Sequence, residues 1–205
     1  MSKFFKDRGI LLKKIFLANE DALLEFFTQE QGKIVVISKK LKKSKKRIAQ
    51  IDFFRFLDLE IQKNKNTKIL KNANTCILFR GFEKNYQSLQ LGFLWCDLLQ
   101  KNLVTEKPQP KFFQKIIKIF SFFDGKNLES FAIFFRIKFL YFLGFLPDLS
   151  DDFVIKKISP SSIKTLIFFK KNLIDKSIKF FDDIPKKNLQ ELDIFLKKLE
   201  EGNIH

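Results

Sequence analysis

Histidine, cysteine, glycine and proline are scarce in this sequence. Its 205 residues include one histidine, two cysteines, seven glycines and five prolines. The histidine is the last residue, which argues against a catalytic site built on imidazole. The two cysteines form no CxxC pair, so we expect neither a disulfide framework nor a metal site. Neither the P-loop pattern nor the dinucleotide-binding glycine pattern occurs. We therefore expect a protein that is not an enzyme and has no cofactor.

A long hydrophobic run is also missing. The most apolar stretch, residues 131–147, is interrupted by Arg136 and Lys138 and is shorter than the roughly 20 residues that cross a bilayer. The first seven residues are charged and polar, without the apolar core of a leader peptide. We expect a cytoplasmic protein with no membrane partner, in which Cys76 and Cys96 are reduced thiols within an apolar face.

Positive charge is abundant and unevenly distributed. The chain has 39 Lys and Arg against 23 Asp and Glu, a net charge of +16. Residues 1–75 carry 18 basic and 8 acidic side chains, and seven of the ten residues 38–47 are basic. Such a run of like charges predicts an exposed loop that binds an anion. A solvated face without a partner, or a localisation signal, would give the same pattern.

The first 75 residues have the pattern of a small β-barrel. Ala22–Thr28 and Lys33–Ile37 flank a glycine-containing turn, which is typical of a hairpin, although residues 22–27 could equally form a helical turn. Apolar and polar residues alternate from 53 to 62, as in a half-buried strand. Four or five short strands in about 70 residues are typical of a barrel.

From residue 76 onwards the apolar period changes to that of helices. Stripes rich in Phe and Leu begin at Ile77, Phe112, Phe131 and Leu189. Asn127 is a candidate cap for the third helix, and Ser159-Pro160 is typical of a helix start. We expect residues 76–205 to form an all-helical domain with a core of phenylalanine.

Two sequence blocks resemble the RecO family of bacterial recombination mediators. The first runs from Gly9–Lys13 through Asn19-Glu20-Asp21 to Gly32-Lys33 and Ser44. The second is FRIKFLYFLGFLPDL, residues 135–149, and Ile158-Ser159-Pro160 is a weaker match. The order and spacing of these blocks agree with the family over nearly the whole chain.

The resemblance implies an α+β protein with an N-terminal OB-fold, a five-stranded β-barrel over residues 1–75, followed by the helical domain. It implies a non-catalytic protein that binds single- and double-stranded DNA and anneals complementary strands. With a RecR-type partner, such a protein helps to load recombinase onto strands coated by single-stranded-DNA-binding protein, whose C-terminal tail docks on the helical domain. Many members have zinc-binding cysteines where this chain has Ser150, Asp151 and Asp152, so we expect no metal. We expect the protein to be a monomer on its own.

Candidate site residues follow from the charge and from how an OB-fold binds a strand, with basic groups on phosphates and rings on bases. Phe54 and Phe56 are the stacking candidates, unless that face of their strand packs under a helix. Arg136 and Lys138 interrupt an apolar helix and are candidates for binding the acidic partner tail, although charges at a helix edge would look the same. The candidate nucleic-acid-binding cations are Lys33, Lys39, Lys40, Lys42, Lys43, Lys45, Lys46, Arg47 and Arg55.

Two other functions are compatible with the charge. A ribosomal-RNA-binding assembly factor would prefer structured RNA, and a peripheral membrane protein would bind anionic lipid through its Lys- and Phe-rich surfaces. The helical core needs the apolar faces, so the sequence favours neither.

Overall fold

The computed structural model describes residues 3–65, 67–147, 157–172 and 174–203. The chain divides into two compact units, Met1–Gly125 and Lys126–His205. The first unit contains the barrel and two long helices, and the second unit is helical.

Five strands close into a barrel in the first unit. They are β1 (Lys3–Phe16), β2 (Ala22–Thr28), β3 (Gly32–Ser38), β4 (Arg55–Lys63) and β5 (Lys68–Leu78). Their order around the barrel is β1-β2-β3-β5-β4, and β3 and β5 run parallel. A short helix, α1 (Lys45–Gln50), connects β3 to β4. The predicted five-stranded OB-fold barrel followed by helices is confirmed.

Alternation of side chains between the two faces of each strand builds the barrel interior. Leu24 and Phe26 of β2 and Ile34 and Val36 of β3 are fully buried in the same hydrophobic cluster. The hairpin turn ends at Gly32, whose φ of 72° disfavours a side chain and which lies against the backbone of Lys107. Ala22–Thr28 is therefore a strand of the hairpin rather than a helical turn.

The fifth strand extends further than the sequence indicates. Ile77 and Leu78, which the helical pattern placed in the first stripe, belong to β5, and the helix begins at Tyr86. Cys76 also lies on β5 and is exposed, so the expectation of a buried thiol is wrong for this residue. Cys96 is buried as expected, and burial raises the pKa of its thiol to about 12.

Two helices, α2 (Tyr86–Asn102) and α3 (Pro110–Phe122), complete the first unit. Trp95 of α2 and Phe120 of α3 pack with Phe82, and their ring centroids lie 5.6 and 5.0 Å from that of Phe82. Phe27 of β2 packs edge-on against Phe113 at 5.1 Å. The outer surface of the barrel is therefore partly covered by aromatic side chains from α2 and α3.

The second unit consists, over its described residues, of α4 (Leu128–Leu143), α5 (Pro160–Lys171), α6 (Ile174–Ser177) and α7 (Lys186–Asn203). Phe131, Phe134, Phe169 and Phe181 pack together in its core. Ser159 caps α5 by accepting a hydrogen bond from the backbone N–H of Ser162. The predicted phenylalanine core and the predicted start of this helix are confirmed.

Asn127 does not cap α4 in the expected way. It holds the N-cap position with a φ of 49°, but its side chain makes no capping hydrogen bond.

Among the described residues, no helix has the length and apolar content needed to cross a membrane.

Candidate nucleic-acid interface

The basic segment, residues 39–47, is folded against the barrel and is not an open loop. Leu41–Lys43 form a 3-10 turn, and α1 begins at Lys45. Leu41 and Ile51 are buried, and the Ser44 hydroxyl caps α1 by accepting from the N–H of Arg47 at 3.3 Å. Burial of these apolar anchors and the cap offset the repulsion between the lysines, so the prediction of a loop is wrong.

Acidic side chains from the β1–β2 connection hold the start of this segment. The carboxylate of Asp21 accepts from the Lys39 ammonium at 2.7 Å and from the backbone N–H of Lys40 at 2.8 Å. The Glu20 carboxylate pairs with Lys43 at 2.9 Å. The hydrogen bonds from Lys39 and Lys40 hold the pKa of Asp21 below its ordinary value. Lys39 and Lys43 are therefore neutralised within the protein.

Two further candidate cations have internal partners. Arg47 donates to the backbone oxygen of Lys39 at 3.0 Å and to the Ser38 hydroxyl at 2.9 Å. Lys33 donates from its ammonium to the backbone oxygen of Gln100, in the last turn of α2, at 2.7 Å. The hydrogen bonds of Arg47 hold the turn after β3, and that of Lys33 holds the end of α2 against the barrel. Both side chains therefore stabilise the fold in this structure.

Four lysines of the basic segment have free ammonium groups. Lys40, Lys42, Lys45 and Lys46 are exposed, and within the described part of the chain none of them makes a side-chain hydrogen bond or an ion pair. Four of the nine predicted cations, all within residues 40–46, are thus exposed and unpaired in the described part of the chain, and we call these four lysines the lysine face.

Arg55 lies apart from the lysine face, at the first residue of β4 opposite Leu78. Its side chain is half-buried, and its Nε is enclosed without a hydrogen-bond partner among the described residues. The structure does not join Arg55 to the basic segment.

Phe54 and Phe56 are in the interior, at 3% and 9% exposure. Phe54 stacks on Phe82 with ring centroids 4.7 Å apart, and Phe56 faces Phe113 of α3 at 6.1 Å. A buried ring has no free face for a base, so we withdraw both as stacking candidates. Phe54 lies directly before β4 and Phe56 lies on β4, and both rings pack against aromatic side chains from outside the barrel strands.

The structure shows an apolar groove that the sequence analysis missed. Ile15, Leu23, Ile37 and Ile69 occupy matched positions on β1, β2, β3 and β5 and so form one row across the outside of the sheet. Val35, at 37% exposure, lies on the same outer side. In OB-folds this β2–β3 face and the loops beside it bind oligonucleotides.

The groove has a volume of about 440 Å³. Leu23, Val35 and Ile37 form its apolar floor, and Lys63, Lys65 and Lys68 of the β4–β5 hairpin lie along it. These residues could have been found from the outward positions of the two predicted hairpin strands, since alternate residues of a strand share a face.

Comparison with known families agrees with this architecture. The family model "Recombination protein O N terminal" matches residues 1–79, and "Recombination protein O C terminal" matches residues 84–169. The chain belongs to the RecO family.

Several curated RecO proteins are similar to this chain. DNA repair protein RecO of Clostridium novyi (strain NT) is 27% identical over 144 residues, which cover 69% of this chain and 56% of the relative. DNA repair protein RecO of Trichodesmium erythraeum (strain IMS101) is 30% identical over 114 residues, covering 55% of this chain and 40% of the relative. The matched region therefore spans about half the length of these relatives.

In this RecO family member, Arg136 is committed to an internal ion pair. Its side chain is 8% exposed and donates from Nε and Nη2 to the two carboxylate oxygens of Glu200, at 2.8 and 2.9 Å. Asp193 pairs with the same guanidinium. Both carboxylates come from α7, so Arg136 joins α4 to α7 and offers no free charge to an acidic tail.

Lys138 also has internal partners. Its ammonium donates to the backbone oxygen of Lys170 at 3.0 Å and lies 5.3 Å from the ring centre of Phe134. The interpretation of Arg136 and Lys138 as a tail-binding pair is not supported, because both side chains satisfy groups of their own unit.

Ser150, Asp151 and Asp152, where the resemblance implied zinc-binding cysteines in many family members, lie outside the described residues. Within the described ranges, no group of three or more His, Cys, Asp or Glu side chains could hold a metal ion.

Proposed function

We propose that this RecO family member is a non-catalytic, DNA-binding recombination mediator that acts in DNA repair. It binds single- and double-stranded DNA, anneals complementary strands and helps to load recombinase onto protein-coated single strands. The observation that carries the proposal is the lysine face, four unpaired ammonium groups on an OB-fold barrel that also has an open apolar groove. The proposal places the protein in the cytoplasm, where bacterial DNA lies.

Phosphates and bases would meet different parts of the barrel. Lys40, Lys42, Lys45 and Lys46 can each neutralise a backbone phosphate and release its counterion. Bases can pack on the floor formed by Leu23, Val35 and Ile37. An aliphatic floor lacks the ring stacking that contributes about 1–3 kcal/mol per base in other OB-folds. Binding would therefore depend mainly on charge and be independent of sequence.

Annealing would need no catalytic group. Two complementary strands repel each other through their phosphates, and a lysine surface that screens both sets lowers this repulsion. Base pairing then supplies the driving force. The protein would act as a polycation of defined shape that leaves the strands chemically unchanged.

We retain a RecR-type protein and the C-terminal tail of single-stranded-DNA-binding protein as proposed partners, because family membership supports them. Arg136 and Lys138 are not part of this proposal. A groove in the second unit has an apolar surface formed by Phe168, Phe180 and Ile184, and its lining includes one cation, Lys164, and one carboxylate, Asp183. We propose that this groove binds the apolar end of the tail and that Lys164 pairs with an acidic group of the tail. We propose that the free protein is a monomer.

A competition experiment tests the function. The full chain is bound to a labelled single-stranded oligonucleotide and challenged with unlabelled single strand, structured RNA or anionic phosphatidylserine vesicles, while annealing of complementary strands is measured in parallel. We expect single strands to compete best and the protein to accelerate annealing. Preferential release by structured RNA or by vesicles would contradict the proposal, as would strand annealing at the spontaneous rate.

A further inference from the structure

Three lysines lie side by side where β1 and β5 begin and β4 ends. Lys3 of β1 is in register with Lys63 of β4, and Lys63 is in register with Lys68 of β5. On antiparallel strands, two directly opposite side chains lie on the same face of the sheet, and their Cβ atoms are about 5 Å apart. Like charges in such a pair destabilise the sheet. This lysine row therefore favours an anion beside it.

Glu106 supplies one carboxylate to the row. It pairs with Lys68, whose side chain is 11% exposed, while the Glu106 side chain itself remains largely open to solvent. The hydrogen bond and charge of Lys68, with the charge of Lys63, lower the pKa of Glu106. Glu106 interacts with Lys68 and Lys63, and one carboxylate does not balance the three ammonium groups of the row, so the row keeps a net positive charge.

Glu106 comes from outside the barrel, from the connection between α2 and α3. Its backbone N–H donates to the oxygen of Lys33 at 2.8 Å, and its φ is 57°, in the left-handed region that most residues avoid. The barrel strands thus hold the lysines, and a separate connection delivers the carboxylate.

Two lysines of the row, together with Glu106, line the open groove on the barrel. Lys63, Lys68 and Glu106 line the same groove as Val35 and Ile37. A strand whose bases lie on this floor would carry its phosphates past the row. A phosphate oxygen and a carboxylate oxygen are both acceptors for an ammonium group, so each can satisfy Lys68.

We propose that the lysine row is a phosphodiester subsite that Glu106 fills in the free protein, and that a backbone phosphate of the bound strand displaces this carboxylate. The inference rests on the proposed function and assigns to the groove a phosphate-binding position beyond the lysine face. In the wild-type chain Lys68 must give up its ion pair with Glu106 before it binds a phosphate, so Lys68 adds little to the affinity for DNA. When Glu106 loses its charge, this ion pair no longer competes, and Lys68 increases the affinity.

A double-mutant cycle on the full chain tests this exchange. The affinity for a labelled oligothymidine is measured by fluorescence anisotropy for the wild type, Glu106→Gln, Lys68→Gln and the double variant. We expect Glu106→Gln to tighten binding up to about fivefold, the range of one exposed ion pair. Lys68→Gln should change the wild-type affinity by less than about twofold but should abolish the gain in the Glu106→Gln background.

A matched cycle separates this effect from a general change of charge. Asp97 and Lys101 form an ion pair of 2.8 Å on α2, and both side chains are exposed. Asp97→Asn and Lys101→Gln alter the charge by the same amounts, away from the groove. We expect their effects to be additive and each smaller than that of Glu106→Gln.

The outcomes are distinct. Additive effects of Lys68→Gln and Glu106→Gln, or equal gains from Glu106→Gln and Asp97→Asn, would overturn the inference while leaving the proposed function in place. A wild-type chain that binds no oligothymidine in dilute buffer would overturn both. Thermal unfolding of each variant confirms that the compared chains are folded.

Discussion

The carboxylate of Asp21 organises the basic segment by binding Lys39. The side chain of Asp21 is buried, and its Oδ2 accepts from the Lys39 ammonium at 2.7 Å while its Oδ1 accepts from the N–H of Lys40 at 2.8 Å. A negative charge next to a nucleic-acid site normally weakens binding. Here the same charge fixes the turn from which the lysine face projects.

We therefore expect Asp21→Ala to weaken single-strand binding about threefold, although it raises the net charge by one, because the lysines lose their ordered scaffold. Glu20→Gln is the matched control, since Glu20 pairs with Lys43 at the exposed surface. It should tighten binding by freeing Lys43. Anisotropy titrations at one fixed low salt concentration measure both effects. Tighter binding by both variants would show that charge alone matters at this position.

The buried ring of Phe54, directly before β4, provides a second prediction. Phe54→Leu should destabilise the protein by about 1–2 kcal/mol, because it removes buried ring contacts with Phe82 and Phe93. Its single-strand affinity should equal that of the wild type. Val35→Ser, in the open groove, should weaken binding about twofold with little change in stability. Urea unfolding and anisotropy measure the two properties, and a loss of affinity in folded Phe54→Leu would restore Phe54 as a base contact.

A third prediction concerns the second unit. Arg136→Met leaves Asp193 and Glu200 without their cation, so we expect a loss of about 2 kcal/mol in the free energy of unfolding. Lys197→Gln removes an exposed partner of the same Asp193 and should cost less than about 0.5 kcal/mol. Hydrogen exchange resolved by peptide should report the loss in α4 and α7. Equal costs for the two variants would contradict a central role for Arg136.

A pH dependence follows from Glu191 of α7. Its carboxylate accepts from the hydroxyls of Ser159 and Ser162 at 2.6 and 2.7 Å, and these hydrogen bonds lower its pKa from the ordinary 4.5. A lowered folded-state pKa means that the stabilisation is present above pH 4.5 and is lost as the pH falls through the folded value. Glu191→Gln should therefore be less stable than the wild type at pH 7 and match it in acid. A stability difference that stays constant between pH 7 and pH 3 would contradict this.

The sequence predicts the barrel well where one strand face is buried and the other is not. The hairpin of β2 and β3 and the strand β4 show this alternation. β5 does not, because its buried positions, Leu70 and Ala73, are three residues apart and two register shifts interrupt its pairing with β4. Its end at Leu78 and the start of α2 were therefore not predicted correctly.

The site was predicted less completely than the fold. Seven like charges in ten residues predict an exposed loop. The segment is folded instead because Leu41 and Ile51 are buried against barrel residues that are distant in sequence. Arg136 is 57 and 64 residues away from its partners Asp193 and Glu200, so no local pattern reveals the pairing. The alternation of apolar and polar residues predicts that Phe54 and Phe56 point to the same side, but it does not reveal the aromatic side chains that bury them.

The salt dependence of single-strand binding tests the central claim most directly. If the lysine face with Lys63 and Lys65 neutralises about six phosphates, the logarithm of affinity should fall with the logarithm of salt concentration at a slope near −4. Replacing Lys40, Lys42, Lys45 and Lys46 by Gln should reduce the magnitude of this slope by about 3. The control carries the same four changes at Lys171, Lys176, Lys179 and Lys198, which are exposed in the second unit, and should keep the wild-type slope. An unchanged slope in the first variant, or an equal reduction in the control, would contradict the account.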